Sequence, residues 1–189
     1  MPYRNLTFLK DTLTHIFNRG NNQMMLFRSK TDYRWLLNKA EKLNLYKEFH
    51  VIAYCLMPNH FHFYIKIKSE ETTSEFFQRL QLSYSKYFNR KYERKGHVFE
   101  GRFKSKFIDI EEYAIYLSKY IHLNPVKAGL VKRPEMWEFS NYCNVIERKE
   151  HCVYLHFYRN YFYYPKEYAD FVNDGLTDYE KDIEKYLFE

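Results

Sequence analysis

Two short stretches carry the side chains best suited to chemistry. The first, MPNHFHFYIKIK at residues 57–68, holds His60 and His62 one residue apart. With a strand's period of two, Phe61, Phe63, Ile65 and Ile67 fall on one face, and His60, His62, Tyr64, Lys66 and Lys68 on the other. Both imidazoles then point away from the apolar face, about 7 Å apart at their Cα atoms, near enough to converge on one ion. Imidazole suits Zn, Mn, Fe or Ni, and a third ligand with substrate oxygens would complete the shell. Two structural histidines are the alternative, because a His-x-His pair by itself is a weak motif. The second stretch, YLSKYIHLNPVKAGLV at residues 116–131, places Tyr120 and Asn124 four apart on one face near a helix end. A phenol becomes a nucleophile when its proton is removed or a nearby cation stabilises the phenolate. An Asn carboxamide oxygen one turn on could be a neutral ligand to the same metal. Tyr113 and Tyr116 are equally visible on that stripe, so spacing does not select Tyr120.

These stretches need elements to hold them. Residues 14–18, THIFN, read as a strand followed by a polar turn, RGNNQ. Tyr33, Leu36, Leu37, Ala40 and Leu43 form a helical stripe over residues 31–44. Residues 50–57 are an apolar run of strand length, and Pro58-Asn59 supplies turn chemistry, so 50–68 reads as a hairpin. Thr72-x-x-Glu75 is a capping-box pattern opening a helix that ends before Gly96. Residues 103–110 are a fourth strand, and residues 111–124 a helix that Pro125 should end. The order β-α-β-β-α-β-α predicts an α+β, ferredoxin-like (split β-α-β) antiparallel sheet with helices on one face, the other face open, and a C-terminal helical or irregular tail.

Composition narrows the partners. The net charge is +6 with pI near 9.0, and aromatics make up 21% of residues, a balance suited to a polyanion whose bases can stack. Cys55, Cys143 and Cys152 suggest a reducing cytosol rather than a disulfide framework. With no apolar run near the roughly 18 to 20 residues that cross a bilayer and no signal-peptide pattern, the expected location is cytoplasmic.

FNRGNN (17–22), YCLMPNHFHFYI (54–65), GHVFEGRF (96–103), YIHLNPVKAGLV (120–131) and WEFSNY (137–142) together resemble the HUH-type single-tyrosine transposases, in particular the REP-associated tyrosine transposase branch. They occur in that family's order across residues 14–142, and the combination is far more specific than any part. The resemblance implies a domain over residues 1–142 and a C-terminal extension, residues 143–189, of open role. PNHFH matches the His-hydrophobic-His motif, and Tyr120, just ahead of NPVK, matches the nucleophilic tyrosine. The implied enzyme nicks and joins single-stranded DNA through a 5′-phosphotyrosine intermediate, with His60, His62 and Asn124 holding Mg²⁺ or Mn²⁺. Arg19, Asn21, Lys66, Lys68, Arg102 and Lys104 are the residues expected to meet DNA, which would carry a hairpin near the cleavage site. A homodimer, with the tyrosine helix serving its own site or its partner's, is left open. A rival reading is a non-catalytic single-stranded nucleic-acid-binding module of ferredoxin-like fold, although no sequence matches the aromatic RNP signature. A structural zinc site at Cys143, His151, Cys152 and His156 fits no standard spacing.

Overall fold

A computed structural model describes residues 8–69, 73–109 and 111–174. Strand β1 (Leu13–Arg19) leads through a 3₁₀ turn at Asn21–Gln23 to helices α1 (Lys30–Lys42) and α2 (Leu45–Glu48). The hairpin of β2 (Phe49–Met57) and β3 (His60–Ile67) follows, then α3 (Thr73–Lys91), β4 (Lys104–Phe107) and α4 (Glu111–Lys127). Three short helices close the described chain: α5 (Tyr142–Ile146), α6 (Leu155–Arg159) and α7 (Pro165–Asn173). Thr72 of the expected capping box lies outside the described residues, as does the acidic end, residues 175–189.

The sheet order is β2-β3-β1-β4, with every neighbouring pair antiparallel. That order is what two interleaved β-α-β units produce, and it bears out the α+β ferredoxin-like class. Phe61, Phe63, Ile65 and Ile67 of β3 join Ile16 of β1 on one face, where Leu36 and Ala40 of α1 and Phe77, Leu80, Tyr84 and Phe88 of α3 bury them. The period-two reading of β3 therefore assigns its faces correctly.

The other face is not open, which corrects the expectation of helices on one side only. Its β2 half lies under α4 and α5–α7: Ile52, Ala53, Cys55 and Met57 pack with Leu117, Tyr120, Ile121, Tyr142, Phe157 and Tyr168. The reason is in β2 itself, which is buried from Val51 to Met57 on both faces. A shift in pairing between Val51 and Ala53 turns consecutive side chains, Ile52 and Ala53, to the same face.

Helix α4 also continues through Pro125 to Lys127, past its expected end. Proline brings no N–H, so one backbone bond of that turn is missing. The Asn124 carboxamide folds back along the helix, its Nδ2 donating to the Tyr120 carbonyl at 3.2 Å. The helix stops where Gly129 takes φ 68°, the left-handed conformation that glycine adopts without strain. Among the described residues, no helix is long and apolar enough to cross a membrane.

Candidate active site

Register decides which side chains share the histidine face. His60 of β3 stands opposite Arg19 of β1, and His62 opposite Phe17. His15 stands opposite Tyr64 in the next row. On the edge strand β4, Lys104 faces Phe17 and Lys106 faces His15. Directly paired residues project to the same side, so Arg19, Phe17, His15, Lys104 and Lys106 all lie on the side of His60 and His62.

The two motif histidines meet edge to face, with ring centroids 4.9 Å apart and planes at 87°. His60 Nδ1 lies 2.7 Å from the Asn59 side-chain oxygen. His62 Nδ1 lies 2.9 Å from Nε2 of His15. Both His62 Nε2 and His15 Nδ1 are buried without a hydrogen-bond partner. Burial pushes His60 down to about 4, and burial, with His15 and His60 adding to it, pushes His62 well below the ordinary imidazole range. Both rings are therefore neutral at physiological pH, the form in which imidazole binds a metal.

Helix α4 brings the tyrosine to this pair. The Tyr120 ring centroid is 6.1 Å from that of His62, edge to face, and the Lys127 ammonium lies 4.8 Å from the centre of the Tyr120 ring. Tyr120 and His62 belong to one chain, so the tyrosine helix rests on its own sheet. Asn124, one turn further on, is anchored to the Tyr120 carbonyl through nitrogen, and oxygen is the atom it would offer a cation. Among the described residues, no three His, Cys, Asp or Glu side chains are grouped to hold a metal. That holds for the Cys143, His151, Cys152 and His156 set as well. A site here would need a third ligand of another type. The donor set fits a divalent ion because the buried Nε2 of His62 has no other partner.

The residues expected to meet DNA are dispersed. Arg19 makes a two-point ion pair with Glu100 through Nε and Nη2, the latter at 2.8 Å from Oε1. Asn21 sits in the 3₁₀ turn, its backbone N–H donating to Val98. Lys66 pairs with Asp11 at 3.2 Å, and Lys68 donates to the carbonyls of Tyr46 and Lys47 at 2.9 and 3.3 Å. These two lysines lie four and six residues beyond His62, roughly 13–20 Å along the strand. Arg102 and Lys104 are exposed. Three contributors escaped the sequence reading: His15, Lys106 and Lys127. His15 shares a period-two face with Phe17 in LTHIFNR, a signal that was present, but only the β1–β3 register connects it to His62.

The family described as "Transposase IS200 like" matches residues 9–124. No curated protein matches the chain. Among solved structures, a REP-associated tyrosine transposase bound to a REP hairpin is similar at a TM-score of 0.64, with 20% sequence identity over 79% of this chain and 87% of that one. At that identity the likeness establishes the shared fold.

Proposed function

Because the chain belongs to the family of IS200-like transposases, we propose that it nicks and rejoins single-stranded DNA with Tyr120 as nucleophile. One observation carries this reading above the others: the Tyr120 ring stands 6.1 Å from that of His62, joining the tyrosine of α4 to the histidine motif of β3. The phenol gives up its proton and its oxygen attacks the scissile phosphorus in line. The bond to the 3′ oxygen breaks, that oxygen takes up a proton, and a 5′-phosphotyrosine remains on the chain. The covalent link preserves the phosphodiester's bond energy, so attack by another 3′-hydroxyl joins DNA without ATP.

His60, His62 and Asn124 would hold Mg²⁺ or Mn²⁺, with the imidazoles favouring the softer Mn²⁺. A divalent ion bound there supplies Lewis-acid polarisation of the phosphate oxygens. Lys127 sits where its charge opposes that of a phenoxide at Tyr120, while Lys104 and Lys106 offer cations to the strand's phosphates. The REP hairpin bound to the similar solved structure supports a folded single strand as the DNA partner.

A second reading, a binding module without catalysis, is favoured by one observation. Tyr120 is only 4% exposed, so the residue as a whole offers little surface to a strand of DNA. Incubating the protein with end-labelled single-stranded DNA from beside its own gene, with Mn²⁺ or Mg²⁺, separates the two. A covalent protein–DNA band on a denaturing gel that is lost in Tyr120→Phe and in His60→Ala is the expected result. A band that survives Tyr120→Phe would assign the nucleophile elsewhere, and binding without any band would favour the module.

A further inference from the structure

His15 has no part in the chemistry above, yet it is fully buried on the histidine face and engages His62 directly. We propose that His15 is a positioning residue: it accepts the Nδ1 proton of His62 and so holds that ring in the tautomer whose Nε2 lone pair is free for a cation. This rests on the reading of His62 as a metal ligand.

Two neutral imidazoles joined by one 2.9 Å contact share a single proton between Nε2 of His15 and Nδ1 of His62. If His15 donates, the remaining proton of His62 sits on Nε2, which then cannot bind a metal. If His62 donates, its Nε2 carries a lone pair and His15 carries its own proton on Nδ1. Only the second arrangement makes a ligand of the atom that has no other partner.

His60 shows the same arrangement, reached independently. Its Nδ1 lies 2.7 Å from the Asn59 side-chain oxygen, which can only accept, so the His60 proton sits on Nδ1 and the lone pair on Nε2. The two motif histidines are thus prepared alike, one by Asn59 from the hairpin turn and one by His15 from the neighbouring strand. The His15 ring is itself fixed, stacked on Phe17 at a centroid distance of 4.8 Å and nearly coplanar with His62, their planes 12° apart. Outer partners of this kind set the tautomer and orientation of a ligating imidazole, and their loss typically weakens metal binding by about 10- to 100-fold.

Two measurements test this. Long-range ¹H–¹⁵N correlation spectra of the metal-free, ¹⁵N-histidine-labelled full chain report the tautomers directly. The expected result is His62 protonated at Nδ1, and His62 protonated at Nε2 overturns the proposal. Mn²⁺ titration followed by electron paramagnetic resonance, without DNA, reads the consequence. His15→Phe keeps a ring but removes the acceptor, and should weaken Mn²⁺ binding by about 10- to 100-fold. His15→Gln places a carboxamide oxygen near the position of Nε2 and should restore most of it. Unchanged affinity in His15→Phe, or equal loss in both variants, overturns the role. If the wild-type chain binds no Mn²⁺, the metal-site reading fails by itself, and the tautomer spectra still decide whether His15 accepts from His62.

Discussion

His122 lies fully buried in α4, the helix that carries Tyr120, and faces the tail that covers it. Its Nε2 donates to Asn141 Oδ1 at 3.0 Å, because that oxygen also accepts the Tyr54 N–H while Asn141 Nδ2 donates to Ile52. Its Nδ1 therefore accepts from the Tyr168 hydroxyl at 2.6 Å. Burial pushes His122 down to about 4, against the partial lift of the Asn141 hydrogen bond. The unfolded chain then binds a proton that the folded chain refuses, so stability falls as pH drops from 6.5 towards 4, by about 2 kcal/mol per such histidine between pH 7 and pH 5. Urea unfolding at pH 7 and pH 5 should show this loss, and His122→Gln should flatten the slope while lowering stability at both. A slope that His122→Gln leaves unaltered would mean that other groups set the acid limit. Tyr168→Phe removes only the hydroxyl and should cost about 1–3 kcal/mol by leaving His122 Nδ1 unpaired. For the chemistry, the corresponding residue is Lys127. Lys127→Ala should slow single-turnover cleavage on the order of 100-fold with little change in DNA affinity, and Lys127→Arg should recover most of the rate.

Elements hold these residues by a few specific ties. Asp32, in the first turn of α1, accepts the N–H groups of Arg28 and Ser29 at 2.9 Å each, capping its own helix. The same carboxylate takes Lys91 at 2.6 Å, Tyr87 at 2.9 Å and Tyr92 at 2.6 Å, tying α1 to the end of α3. Burial alone would raise this carboxyl, but the bonds from Lys91, Tyr92 and Tyr87 outweigh it and hold it at about 2. Its stabilisation is complete above the ordinary value of 3.8 and is lost as pH falls towards 2. Asp32→Ala should cost about 3 kcal/mol in chemical unfolding at pH 7, because Lys91 loses its partner and two backbone N–H groups lose theirs. The helical stripe of α1 and the hairpin were legible in the sequence because both depend on neighbours along the chain. The role of His15 was not legible, because a slip of one residue in the β1–β3 pairing would send it to the other face. The Arg19 pairing with Glu100 joins residues far apart in sequence, and spacing carries no trace of it. The course of α4 through Pro125 was misread for a related reason. Local rules assign proline to helix ends, but here the packing of α4 on β2 carries the helix past it.

At the scale of the whole molecule, the apolar run of β2 already required cover on both faces, but the sequence does not say which segment supplies it. The cover comes from α4 and from residues 142–172, where Tyr142, Val145, Val153, Leu155, Phe157, Tyr158, Tyr168 and Val172 are all buried. The Tyr158 hydroxyl donates to Ile52 of β2, and the Lys119 ammonium of α4 lies 4.5 Å from the Phe171 ring centre. These contacts make the tail part of the body that seats Tyr120 beside His62. At about 1.5 kcal/mol or more for each fully buried side chain, the eight contribute on the order of 10 kcal/mol. That is comparable with the whole net stability of an ordinary domain, about 5–15 kcal/mol. A chain ending at Asn141 should therefore lose cooperative thermal unfolding or associate to cover β2, and it should form no covalent product with DNA. Circular dichroism melting beside size-exclusion chromatography distinguishes these results from a stable monomer. A truncated chain that melts cooperatively as a monomer and still captures DNA through Tyr120 would show that α4 holds its place on the sheet without the tail. The placement of the nucleophile would then be a property of residues 8–141 alone.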